Sequence, residues 1–234
     1  MADAWSKLIY MTLPYITLAI LVLGIVYRVK RWKKLPRAKS IIFPTKPNRT
    51  GTVKAVAKDI LLFTKTYKSS RALWVMAFLL HIGLLLVIMG HIRTVTEISW
   101  LWGLFNLSKD GIDDASMILG SIAGTLMLAG IILLLVRRLT PTWRFLSIFE
   151  DYYVLLILLG IVFTGLGMRW FSEIEVNEIH DYSRGVLTLS PSADITNAWF
   201  LWHFTLAQTL IIYFPFSKLV HVFSKPVTEA WTTR

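Results

Sequence analysis

Leu79-Leu80-His81-Ile82-Gly83-Leu84-Leu85-Leu86-Val87-Ile88-Met89-Gly90-His91 runs from one imidazole to another without a charged side chain between them. It is the heart of an apolar segment, 72–92, that has the roughly 20 residues an α-helix needs to cross a bilayer. Histidine inside a lipid-embedded helix is uncommon and marks a functional site by default. A second apolar segment, 198–223, repeats the pattern with His203 and His221, so four of the five histidines lie in two spans.

Working outward, three more segments of membrane length stand at 8–29, 115–136 and 153–171. Of the 234 residues, 55% are hydrophobic, and the mean hydropathy is +0.59, well above a soluble domain. The expected fold class is therefore all-α: an integral membrane bundle of five transmembrane helices forming one domain over 1–234. Met1–Lys7 contains Asp3 and leads into a span long enough to cross, so it reads as a retained first helix rather than a signal peptide. Pro215 is expected to tilt or kink the fifth span. Gly120, Gly124 and Gly130 in the third span and Gly160, Gly165 and Gly167 in the fourth suit close helix packing, and ordinary membrane-helix composition explains them equally well.

Charge sorts the loops. Between the first two spans, Lys30 to Arg71 holds thirteen Lys and Arg against one acid, Asp59. Arg137, Arg138 and Arg144 against Glu150 and Asp151 follow the third span, and Lys225 and Arg234 against Glu229 follow the fifth. The remaining loops are acidic, with Glu97, Asp110, Asp113 and Asp114 in one and Glu173, Glu175, Glu178, Asp181 and Asp194 in the other. The positive-inside bias then places the N-terminus outside and the C-terminus in the cytoplasm. That topology also accounts for the net charge of +11, and no nucleic-acid partner is expected. Within the basic loop 30–71, Val53, Val56, Ala57, Ile60, Leu61 and Thr64 fall on one helical face with Lys54, Lys58, Lys65 and Lys68 around it. This reads as an amphipathic helix lying on the membrane or docking a partner. The preceding Pro36, Pro44 and Pro47 stretch is expected to be extended.

The chain has no cysteine, which excludes disulfides, cysteine-held iron–sulfur clusters and covalent c-type haem. A metal centre here falls to histidine. In the deduced topology the second and fifth spans are antiparallel, so depth pairs His91 with His203 near the outer face and His81 with His221 near the cytoplasm. Each pair could clamp one haem iron from both sides, giving a low-spin electron carrier. His203 and His221 are 18 residues apart, five turns at about 3.6 residues each, and so share a face of an unbroken helix. His81 and His91, 10 apart, differ by about 80° around the axis, and the two rises, roughly 15 and 27 Å, do not match. Geometry alone therefore leaves open one haem with two hydrogen-bonding histidines, a proton channel or transporter with titrating histidines, and a haem-free membrane anchor. His180, between Glu178 and Asp181, is given no ligand role.

Phe214-Pro215-Phe216-Ser217-Lys218-Leu219-Val220-His221-Val222-Phe223-Ser224-Lys225-Pro226-Val227 resembles the end of the gamma subunit of respiratory nitrate reductase, a membrane cytochrome b. Leu79 to Leu85, Gly90-His91 and Arg137-Arg138-Leu139 resemble it too, and the likeness runs through spans two to five. The resemblance implies five helices of a prokaryotic cytoplasmic membrane and two b haems. His81 and His221 would hold the inner haem, and His91 and His203 the outer. It implies oxidation of a quinol near the outer haem and transfer of electrons to a cytoplasmic iron–sulfur subunit. Gly90 and His91 match the family's quinol-site neighbourhood. Lys109 stands nearest to that family's outer-loop lysine, off its position by ungapped counting. Arg93, Arg169 and Lys218 are candidates for haem propionates, with lipid snorkelling for the arginines and positive-inside bias for the lysine as their other readings. The long first cytoplasmic loop resembles relatives in sulfite-reductase-associated and heterodisulfide reductase membrane complexes, which implies a heterodisulfide-reductase-like rather than a nitrate-reductase-beta-like partner.

Overall fold

In the computed structural model, residues 7–34, 49–96, 99–172, 176–191 and 197–223 are described, and every regular element among them is helical. A π-helical turn, Leu8–Thr12, opens α1, Leu13–Lys34. Then come α2 (Arg49–Leu62), α3 (Thr64–Ser69), α4 (Arg71–His91), α5 (Ser99–Leu104) and α6 (Lys109–Leu139), followed by α7 (Pro141–Leu146), α8 (Phe149–Phe171), α9 (Val176–Leu187) and α10 (Ala198–Tyr213).

Four helices among the described residues are long and apolar enough to cross a membrane: Leu8–Lys34, Arg71–Thr94, Lys109–Leu139 and Phe149–Phe171. Their ends are written in the sequence. Ser108 caps α6 by accepting the Gly111 amide at 3.2 Å, Asp110 sits in its first turn, and Arg137 and Arg138 in its last. Each charge complements the helix dipole. Asp151 accepts the Ile148 amide at 3.1 Å to start α8.

The fifth expected span differs. Helix α10 covers 16 residues and stops at Tyr213, and two 3-10 turns follow, Phe214–Phe216 and Lys218–Val220. Pro215 has no amide to donate and its ring crowds the preceding turn, so the α pattern cannot pass through it. Ser217 restarts the chain by accepting the Leu219 amide at 3.1 Å. The tilt or kink expected at Pro215 is a full stop of the α-helix, which removes the premise that His203 and His221 share a helical face.

The basic loop is also broken. Phe63 adopts a left-handed conformation, φ 49°, between α2 and α3. Asp59 sets the break, its carboxylate accepting from the Thr64 hydroxyl at 2.8 Å and the Lys65 amide at 3.0 Å. Thr64 therefore belongs to the second helix and does not continue the apolar face of the first. Ile60, Leu61 and Leu62 remain exposed. The Pro36, Pro44 and Pro47 stretch and the tail beyond Phe223 lie outside the described residues.

Two compact units emerge, one from Met1–Tyr15 with Val75–Leu210 and one from Ile16–Trp74 with Ile211–Arg234. In the first, Leu80 of α4, Met127 and Ile131 of α6, and Leu158, Val162 and Leu166 of α8 form the core. Lipid supplies little hydrophobic drive between helices, so close approach of backbones at small residues must do the work. A Cβ on Gly83 would lie 2.5 Å from the Met127 amide nitrogen, and one on Gly130 would overlap the Leu80 backbone. The two glycines form a reciprocal seam either side of His81. Tyr10, Tyr182 and Phe200 make a second buried cluster, where the Tyr182 hydroxyl donates to the Tyr10 carbonyl at 2.9 Å. Leu85, Ile88 and Met89 on α4, Ile118 and Leu119 on α6 and Phe163 on α8 are exposed, as lipid-facing residues are.

Candidate functional site

The first unit brings His91, at the end of α4, and His203, on α10, side by side. Their ring centres are 6.1 Å apart and their planes are within 13° of parallel. A metal held between two imidazoles at bond lengths of about 2.0–2.1 Å would set the ring centres roughly 6 Å apart. Two imidazoles at this separation could hold one haem iron between them.

Backbone carbonyls fix the orientation of both rings. His91 Nδ1 is 2.7 Å from the Val87 carbonyl oxygen, one turn back on its own helix. His203 Nδ1 is 2.9 Å from the Ile161 carbonyl oxygen of α8 and 3.2 Å from the Thr164 hydroxyl. A ring that donates from Nδ1 carries its lone pair on Nε2, the nitrogen that binds a metal, and the donated hydrogen bond makes that nitrogen more basic. Gly165 allows the approach, since a Cβ there would lie 3.1 Å from His203 Cε1.

The other two histidines follow the same rule. His81 Nδ1 lies 2.7 Å from the Ala77 carbonyl oxygen, and His221 Nδ1 lies 2.9 Å from that of Lys218. His81 belongs to the first unit and His221 to the second. All four imidazoles therefore have Nδ1 on a carbonyl, the state in which Nε2 can coordinate. Among the described residues no three His, Asp or Glu side chains gather into a metal cage.

The remaining candidates fall as follows. Gly90 lies one residue before His91, is exposed, and a Cβ there would meet nothing within 4 Å. Lys109 is the first residue of α6 and exposed. Arg93 donates to the Ser116 hydroxyl at 2.7 Å and pairs with Asp113. It is thereby anchored to α6 and largely buried. Lys218 sits in the second 3-10 turn, where its carbonyl serves His221. His180 Nδ1 is 4.0 Å from Asp181.

Sequence reasoning missed Ile161 and Thr164, which hold His203, and read Gly165 as a packing residue without placing it beside that ring. The available signal was the hydroxyl of Thr164 next to Gly165 in an apolar span, a polar and a small residue on the helix that packs beside a ligand. Arg169, read from the sequence as a propionate contact or a snorkelling residue, instead donates from its guanidinium to the Ser116 carbonyl at 3.0 Å and occupies the place a side chain on Gly120 would fill.

Known proteins resemble this chain over the same region. The nitrate reductase gamma subunit family matches residues 64–233. An "Hdr-like menaquinol oxidoreductase cytochrome b-like subunit" of Archaeoglobus fulgidus is 29% identical, covering 89% of this chain and 74% of that one. "Nitrate reductase-like protein NarX" of Mycobacterium tuberculosis is 28% identical over 96% of this chain, which spans 32% of that longer protein. "Respiratory nitrate reductase 2 gamma chain" of Escherichia coli is 32% identical over 70% of this chain and 76% of its own length. With the family match extending over well more than half of its residues, the chain belongs to the nitrate reductase gamma subunit family.

Proposed function

We propose that the chain is the dihaem b membrane subunit of a respiratory complex. It would take electrons from a quinol near the outer face and deliver them to a cytoplasmic iron–sulfur partner. The parallel His91 and His203 rings, 6.1 Å apart, carry this reading. In it His91 and His203 hold the outer iron and His81 and His221 the inner one. The chain crosses the membrane five times with its N-terminus outside, the short α10 and the turns after it making the last crossing. Bound haem b would supply one-electron redox chemistry in a low-spin, bis-imidazole state.

The protein's own contribution is orientation and exclusion of water. Val87, Ile161, Ala77 and Lys218 carbonyls accept from Nδ1 and hold each ring in the ligating tautomer. Gly90 and the exposed Lys109 amine are the proposed quinol-side groups. A primary amine there favours a quinol oxygen as it loses its proton. The Arg93–Asp113 pair ties α4 to α6 beside them. The name of the Archaeoglobus fulgidus relative supports a menaquinol-type donor and a heterodisulfide-reductase-like partner. Addition of a menaquinol analogue to membranes containing the complex should reduce b-type haem, and His91→Ala should abolish that reduction while the His81 haem remains reducible by dithionite. Full quinol-driven reduction in His91→Ala would remove the outer pair from the path.

A further inference from the structure

His221 is the candidate ligand that lies beyond the break in the last helix, so helix continuity does not set its position. The second unit offers another means. Arg28 of α1 donates from Nε to the Pro215 carbonyl at 2.7 Å and from Nη2 to the Phe216 carbonyl at 2.9 Å. One turn earlier on the same face, Gly24 makes room for the Pro215 ring. A Cβ there would lie 2.5 Å from Pro215 Cβ and 2.8 Å from Cγ. Pro215 is fully buried and Ser217 is 3% exposed.

From this point to His221 each link is hydrogen-bonded. The Ser217 hydroxyl donates to the Phe214 carbonyl at 3.0 Å and accepts the Leu219 amide. The Lys218–Val220 turn follows, and the Lys218 carbonyl holds His221 Nδ1. A proline break leaves carbonyls without helical donors, and in a membrane something must satisfy them. The planar guanidinium fork does so at two successive residues, which a lysine ammonium cannot match in geometry.

We infer that Arg28 and Gly24 form a clasp that positions His221, making Arg28 a positioning residue for the inner haem ligand. The inference rests on the reading of His221 as a ligand. Snorkelling of Arg28 toward the membrane surface would leave the 214–221 segment indifferent to its shape.

The test uses the full chain in its membrane complex, with Arg28→Leu and Arg28→Lys. Low-spin haem EPR and amide hydrogen exchange over residues 198–221 are the readouts. Arg28→Leu should lose the inner haem signal or shift it, leave the outer one in place, and speed exchange over 216–221 but not over 198–213. Arg28→Lys should fall between Arg28→Leu and the parent. If Arg28→Leu fails to accumulate, Gly24→Val displaces Pro215 from the same side and should give the same pattern. Parent-like exchange and an unchanged inner signal in these variants would overturn the clasp. If the parent protein lacks an inner haem, the ligand reading fails by itself, and exchange over 216–221 still decides whether Arg28 orders the segment.

Discussion

Replacing Thr164 with valine removes one hydrogen-bonding oxygen from beside His203 while keeping the side chain's shape. The structure gives His203 Nδ1 two neighbours, the Ile161 carbonyl oxygen at 2.9 Å and the Thr164 hydroxyl at 3.2 Å. The hydroxyl hydrogen itself goes to the Gly160 or Ile161 carbonyl, at 2.7 and 3.0 Å, which leaves the oxygen's lone pairs facing the imidazole. A net hydrogen bond contributes about 0.5–1.5 kcal/mol. Acceptors on Nδ1–H make Nε2 a stronger donor to iron and favour the oxidised state. Losing one should therefore raise the outer midpoint potential. For a one-electron couple that energy corresponds to roughly 20–60 mV. The shorter Ile161 contact survives, so the lower half of that range is expected. Potentiometric titration of the purified complex, followed at the two haem bands, measures it. Thr164→Ser should restore the parent value. A fall in potential, an equal shift of both haems, or no change in Thr164→Val would refute the argument that Thr164 acts through His203.

Gly83→Val places a branched side chain against the Met127 backbone, and overpacking of this kind costs about 1–3 kcal/mol. A thermal melt in detergent should fall accordingly, with Leu84→Val as a milder control. His91→Ala should lose the outer haem and keep the inner one, as counted by difference spectra, and loss of the His81 haem instead would reverse the depth assignment. Asp113→Asn breaks the ion pair to Arg93, whose carboxylate side is half exposed. Such pairs contribute about 1 kcal/mol or less, so haem content should be unchanged. Burial, then the neighbouring Tyr10 and Tyr15, push the Tyr182 phenol above its ordinary value. Its stabilisation is complete below the unfolded tyrosine value of about 10 and is lost as pH rises above it. Tyr182→Phe should thus destabilise at neutral pH by about 0.5–1.5 kcal/mol through the lost bond to Tyr10, yet flatten the alkaline loss seen in melts.

The four long spans were legible because lipid imposes a length and an apolar composition that leave few alternatives. The reach of α6 to Lys109 was less so, since Asp110, Asp113 and Asp114 read as loop and in fact occupy its first turns beyond the apolar stretch. Pro215 announced a disturbance, but the choice between a kink and a full stop depends on whether a partner takes the freed carbonyls. That partner, Arg28, lies 187 residues away in sequence. The apolar pattern of 53–64 hid the turn at Phe63, which Asp59 imposes by bonding forward to Thr64 and Lys65.

The histidines were the most legible part of the site, since their placement in apolar segments is itself the signal. Depth alone paired His91 with His203, and the structure sets those rings together. What holds them was not visible. The Ile161 carbonyl is a backbone group on another helix, and no side-chain pattern encodes which carbonyl an imidazole will meet. Thr164 and Gly165 acquire meaning only when α8 is packed beside α10.

How many haems the chain carries, and which imidazoles bind them, decides the proposed function. Haem extraction from the purified complex, combined with low-temperature EPR, should give two b haems per chain with two distinct low-spin, bis-imidazole signals, one removed by His91→Ala and the other by His221→Ala. A single haem, none, or a high-spin signal unaffected by those substitutions would contradict it.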